Sequence, residues 1–175
     1  MTAGELALYT FPRDRANPRT FESLVAAHER MVLGTAYRLL GRIEDAQDAA
    51  QEVFLRLFRN LDTIEGDPKP WLYRVTVNVC NDSHRRRKPS FELNQNCADP
   101  APGPERAITL EERKRLLMEG LATLPERERA AVVLRDIEGL STAEVAGILG
   151  VAEVTVRSHI SAARLKLARF VRSRQ

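Results

Sequence analysis

Two groups of residues in this chain have the types and spacing to hold nucleic acid. The first is Trp71, Arg74, Asn78, Asn81 and Arg85, the last four at steps of four, three and four that trace one stripe of a helix. Amides donate to and accept from base edges, guanidinium groups meet phosphates, and an indole ring offers a stacking platform, so this stripe suits unpaired bases. Trp71 has a second reading, as the largest side chain of a core. Immediately behind come His84, Arg85, Arg86, Arg87 and Lys88, which add +4 in five positions and suit phosphate contacts. The second group is Arg157, Ser158, Ser161 and Arg164, on a predicted helix whose opposite face is Val156, Ile160, Ala163, Leu167 and Phe170.

Nothing comparable exists for catalysis. There is no glycine-rich phosphate loop, no paired His and Cys, and no metal-ligand spacing. His28, His84 and His159 stand far apart, and Cys80 and Cys97 have neither metal-type spacing nor the dense pattern of a disulfide scaffold. The residues therefore predict a protein that is not an enzyme, with no metal and no cofactor.

The elements that must carry these groups are helical throughout. Ser141 and Glu144 form a capping-box pattern, Val145, Ile148 and Leu149 follow as a short apolar stripe, and Gly150 supplies a left-handed stop. A second helix then begins near Glu153. Two helices joined by a glycine turn, the second basic and polar outward, have the geometry that enters a major groove. Upstream, Thr20 is placed to cap a helix with apolar positions Phe21, Leu24, Val25, His28, Val32, Ala36 and Leu39, ending at Gly41. A second helix, from about Ile43 to Leu61, is expected to bury Ala46, Ala50, Val53, Phe54, Leu57 and Phe58. Its outer face presents Asp45, Asp48 and Glu52, with Glu52 and Arg56 at the supportive i,i+4 spacing. Turn chemistry fills residues 62–69. A third helix starts near Pro70, a favoured first-turn proline, and runs to about Arg87 with Leu72, Val75 and Val79 pointing inward.

Breakers divide the chain. Pro89, Pro100, Pro102 and Pro104, with Gly103 and the run Asn94, Gln95 and Asn96, exclude regular structure between the helical halves. The expectation is an all-α protein of two small helical domains joined by a flexible linker: an arm over 1–19, a domain over 20–88, a linker over 89–110 and a helix-turn-helix domain over 111–172. The net charge of +3 hides a strong partition. Residues 21–83 carry seven basic and ten acidic side chains, residues 89–112 one and five, and residues 151–175 six and one. Positive blocks thus sit at the ends of both domains and flank an acidic connector. No apolar run approaches a membrane span and the N-terminus has no secretory pattern, so a soluble cytoplasmic protein is expected.

At this point the motifs carry a resemblance. The run Asp45-Ala46-Gln47-Asp48-Ala49-Ala50-Gln51-Glu52-Val53-Phe54-Leu55-Arg56-Leu57-Phe58 resembles the polymerase-binding helix of bacterial sigma factors of the extracytoplasmic-function group. Pro70-Trp71-Leu72-Tyr73-Arg74-Val75-Thr76-Val77-Asn78, followed by Asp82 and Arg85-Arg86-Arg87, is similar to that group's helix for the promoter minus-ten element. Leu124-Pro125-Glu126-Arg127-Glu128-Arg129 and the helix-turn-helix resemble its minus-thirty-five reader.

The resemblance implies a transcription initiation factor, of a kind used in stress responses, that binds core RNA polymerase and promoter DNA. Asp45, Asp48, Gln51 and Glu52 would dock on the polymerase. Lys69, Trp71, Arg74, Asn78, Asn81, Arg85, Arg86, Arg87 and Lys88 would meet the minus-ten element as partly unpaired DNA, with Trp71, Asn78 and the loop over 62–70 holding a flipped base. Thr155, Arg157, Ser158, His159, Ser161 and Arg164 would meet the minus-thirty-five element as duplex. An anti-sigma factor is an implied further partner, and no membrane insertion is implied. The chain departs from the family's common recognition-helix form at Val154, His159 and Ala162, where glycine, arginine and arginine are usual. An alternative class, a helix-turn-helix activator that is not a polymerase subunit, would account for the C-terminal half alone.

Overall fold

The computed structural model describes residues 20–86 and 109–174, so Arg87, Lys88, Cys97, the expected arm and most of the expected linker lie outside the described residues. Helix α1 spans Phe21–Leu40, α2 Ile43–Asn60 and α3 Lys69–Arg86; α4 spans Leu110–Ala122, α5 Glu126–Val132, α6 Thr142–Leu149 and α7 Glu153–Arg172. Among the described residues there is no strand.

Local chemistry sets the helix ends. The Thr20 side chain accepts from the Ser23 amide at 3.3 Å, and Gly41, at φ 80°, closes α1 by donating to the Tyr37 carbonyl. A short 3-10 turn at Leu61–Thr63 follows α2, and the Asp67 carboxylate accepts from the Lys69 amide as α3 begins. In the second half Thr109 and Glu112 form one capping box and Ser141 and Glu144 another. Hydrogen bonding to Ser141 holds the Glu144 carboxyl below its ordinary range. Helix α5 runs into a widened π turn over Val133–Ile137, which ends at Glu138 and Gly139.

Helices α1, α2 and α3 close a small aliphatic core of Val32, Ala36, Ala46, Val53, Leu57 and Leu72. Helices α4 to α7 close another, around Leu121, Ala131, Leu134, Val145, Val156 and Ala163. Gly120 lets α4 approach α7 closely, since a Cβ there would lie 3.0 Å from Leu167 and 3.2 Å from Phe170. Phe58, expected inside, is instead 57% exposed. It lies in the last turn of α2, where its ring packs edge-on at 5.3 Å against Phe21 at the start of α1 and the rest stays in solvent.

The two domains are docked on each other, which sequence reading did not anticipate. Glu138 accepts from Thr35 Oγ1 at 3.1 Å, Arg38 Nη1 at 2.8 Å and Tyr73 Oη at 3.0 Å. Arg129 of α5 donates to the Leu39 carbonyl at 2.7 Å and to the carbonyls of Ala122 and Leu124. One guanidinium thus meets the C-terminal ends of α1 and α4, where carbonyls lack helical partners and a cation is favoured. Helix α3 is in consequence buried on two sides. Leu72 and Val79 face inward as expected, while Tyr73, Thr76, Val77 and Cys80 are buried as well and Val75 is only half-buried.

Candidate nucleic-acid and polymerase interface

The acidic face of α2 is graded. Asp48 and Gln51 are exposed. Glu52 accepts from Arg56 Nε at 2.8 Å, the expected i,i+4 pair. The Asp45 side chain is only 12% exposed and lies 3.9 Å from Arg42, so it sits at the edge of this face. Leu55 and Phe58, both exposed, continue the surface toward the helix end.

Helix α3 carries the polar stripe. Arg74, Asn78, Arg85 and Arg86 are exposed and Asn81 is half-buried, while Lys69 is exposed at the helix start. Trp71 is half-buried and packs against the core. Arg85 pairs with Asp82. Toward the second domain, Arg74 donates to the Gly147 carbonyl at 3.1 Å. Asn78 and Asn81 line a cleft of about 220 Å³ together with Arg127, Leu149 and His159. A wider opening that shares Asn78, Asn81, Glu126 and Arg127 with this cleft adds Arg56, Asp82 and Arg85.

The outward face of α7 is more constrained than its sequence suggests. Arg157 donates to Glu153 at 2.6 Å. Arg164 makes a two-pronged contact with Asp136, Nε at 2.8 Å and Nη2 at 2.7 Å, which raises its pKa further. Each guanidinium keeps free N–H groups, because five are available and the carboxylate takes one or two. Pairing fixes their direction and offsets each cation with one carboxylate. Ser158 and Ser161 are exposed between them and Thr155 is half-buried. His159 turns toward the interdomain cleft rather than joining this outward face.

Burial pushes the Cys80 thiol up to about 12, so it is inert as a nucleophile. No group of His, Cys, Asp and Glu among the described residues is placed to hold a metal. No described helix is long and apolar enough to cross a membrane. The groups that sequence reasoning missed are Thr35, Arg38, Tyr73, Arg129 and Glu138. At Thr35 and Tyr73 the sequence signal is a polar group among apolar helix positions.

Fold and surface define an all-helical, two-domain protein with a helix-turn-helix in its second domain. Residues 24–89 match the sigma-70 region 2 family and residues 114–167 match sigma-70 region 4. The chain is 38% identical to the ECF RNA polymerase sigma factor SigE of Mycolicibacterium smegmatis, over 94% of this chain and 66% of that longer one. It is 30% identical to the ECF RNA polymerase sigma factor SigW of Bacillus subtilis, over 87% of this chain and 89% of the relative. Among solved structures, CnrH in complex with the cytosolic domain of CnrY is similar with a TM-score of 0.65 and 28% identity, covering 91% of this chain and 92% of that one. The chain belongs to the extracytoplasmic-function sigma factors of the sigma-70 family.

Proposed function

We propose that this protein is an alternative sigma factor that binds core RNA polymerase and directs it to specific promoters, with α3 reading the minus-ten element as partly unpaired DNA and α7 reading the minus-thirty-five element as duplex. One observation carries the reading. The stripe of Arg74, Asn78, Asn81 and Arg85 and the outward face of α7 both hold polar groups that no core requires, and they lie in the two segments that match regions 2 and 4.

Roles follow from the chemistry. Asp48, Gln51 and Glu52, with Asp45 at the edge, dock α2 on the polymerase. Trp71 and Asn78, with the loop over 62–70, hold a base drawn from the non-template strand; an aromatic and amide pocket offsets about 1–3 kcal/mol per stacked base against the cost of opening DNA. Arg85, Arg86, Arg87 and Lys88 sit on adjacent phosphates. The polymerase performs the chemistry, so this chain contributes no catalytic residue. Because Asn78, Asn81 and His159 face one cleft in the docked arrangement, the two domains part before both promoter elements are read. An anti-sigma factor is a fitting partner: the related CnrH was solved with the cytosolic domain of CnrY, and an interdomain cleft offers a second protein a place to wedge.

The test is reconstitution. Full-length protein added to core polymerase should yield transcripts from a defined set of promoters sharing two spaced elements. Binding to duplex DNA without any affinity for core polymerase would instead favour the activator class.

A further inference from the structure

Val154 is 69% exposed, more than any other large hydrophobic side chain among the described residues. It lies in the first turn of α7, which begins at Glu153. Helical spacing of 100° per residue sets it directly opposite the buried row of Val156, Ile160 and Ala163, in line with the exposed Ser158 and Ser161. Arg157 flanks it on one side, its charge matched by Glu153 at 2.6 Å. No capping side chain reaches over the turn, since Ala152 is the N-cap residue. An apolar, χ1-rigid side chain therefore stands at the N-terminal end of this face, where its exposed neighbours Arg157, Ser158 and Ser161 are guanidinium and hydroxyl and the next exposed large apolar group on the line, Leu165, is three turns further on.

A partner that is polyanionic overall but apolar at one point fits that pattern. In the major groove the one apolar group on a base edge is the C5-methyl of thymine, and aliphatic side chains of recognition helices pack against it. The N-terminal residues of such a helix are those that reach base edges. We infer that Val154 is a specificity-determining residue that selects thymine at one position of the upstream promoter element through its methyl group. This rests on the reading of α7 as the duplex reader. Ser158 and Ser161, small and exposed on the same line, leave room for the groove wall to approach, and Arg157 hydrogen-bonds beside the methyl rather than competing for it.

The experiment uses holoenzyme assembled from the full chain and core RNA polymerase. It is offered two duplex pools randomised through the upstream element, one containing thymine and one with 2′-deoxyuridine in every thymine position. Wild type should enrich thymine at one upstream position and discriminate about fourfold less at that position in the deoxyuridine pool, the worth of one buried methyl group. Val154→Ser, which keeps the exposed turn and removes the apolar surface, should lose the difference between pools while keeping its affinity for core polymerase and its far-ultraviolet circular dichroism. Equal enrichment of uracil and thymine at every upstream position overturns the inference, as does a V154S variant that still distinguishes the pools. A methyl dependence lost in Thr155→Ser but kept in V154S assigns the contact to Thr155 and overturns it too. If the holoenzyme forms but enriches no upstream sequence in either pool, the duplex-reading role of α7 falls along with it.

Discussion

Tyr73 of α3 donates its hydroxyl to Glu138 Oε2 at 3.0 Å, joining residues 65 positions apart in the chain and in different domains. Burial, with the neighbouring carboxylate, pushes the phenol pKa up, so Tyr73 remains a neutral donor across the physiological range. Thr35, wholly buried, and Arg38 bond the other oxygen of the same carboxylate. Three donors on one acceptor make Glu138 the polar centre of the docked domains.

Glu138→Ala should therefore loosen the docking by about 1–3 kcal/mol, because Thr35 and Tyr73 would be left buried without their partner. Small-angle scattering and energy transfer between one dye in each domain would read the change as a larger radius of gyration and a lower transfer efficiency. Wild-type values in both measurements would show that Glu138 is dispensable and that the remaining contacts, including those of Arg74 with Gly147 and Arg129 with Leu39, hold the domains together. Glu138→Gln, which keeps an acceptor for Tyr73 but loses the charge opposite Arg38, should fall between the two.

Reversing the exposed acids of α2 tests the polymerase surface. Asp48→Lys with Glu52→Lys should weaken association with core polymerase by about tenfold or more, since like charges brought together across an interface cost several kcal/mol. Helicity should be retained because both side chains lie at least partly in solvent. Fluorescence anisotropy with labelled protein measures the affinity, and an unchanged value would eliminate α2 as the docking face.

Base capture by α3 separates two stages of initiation. Asn78→Ala should reduce strand opening more than initial promoter binding, with a stability change within about 0.5 kcal/mol because the side chain is exposed. Trp71→Ala should show the same kinetic signature, at about 1–3 kcal/mol for a lost stacking platform. It should also lower the melting temperature, since the side chain is partly buried against the core. Permanganate reactivity of thymines reports opening, and equal losses at both stages would count against an unpaired-base pocket.

His28 gives a pH dependence whose sign is fixed by its burial. Desolvation, with Lys69 adding to it and Asp67 opposing, holds its pKa below the ordinary 6.5. The unfolded chain then takes up a proton before the folded one does, so the stabilisation is complete above pH 6.5 and is lost as pH falls from there toward the folded value. Thermal melts of wild type and His28→Gln between pH 7.5 and 5.5 should converge on acidification, wild type losing more. Parallel curves would mean that His28 is protonated equally in both states.

Much of the fold was legible because its signals are local. The Thr20 cap, the Ser141 and Glu144 box, and the left-handed Gly41 and Gly150 each act within one turn, and the structure places all of them where the sequence puts them. The stripe of Arg74, Asn78 and Arg85 and the outward face of α7 follow from the helical period alone. By itself, then, the sequence determined α1, α2, α3, α6 and α7, the segregation of their polar faces and, through three ordered motifs, the family, while α4 and α5 were left unassigned.

Tertiary structure decided what lies between the domains and at the edges of the faces. Periodicity identifies one buried side of a helix, so it could not show that α3 would be covered twice, with Tyr73 and Cys80 buried as well. Nor could it show that Phe58 would lie outside, because exposure there depends on whether a neighbouring element reaches the last turn of α2. Glu138 reads as one more acid in a balanced segment, and only the π turn before it and the approach of α1 and α3 make it an acceptor for three donors. The same holds for Arg164, a plain cation in sequence and a carboxylate-held one in the fold, since Asp136 reaches it from 28 residues away. Short-range hydrogen bonds and periodic burial are written in adjacent residues, whereas long-range polar pairing depends on which surfaces meet.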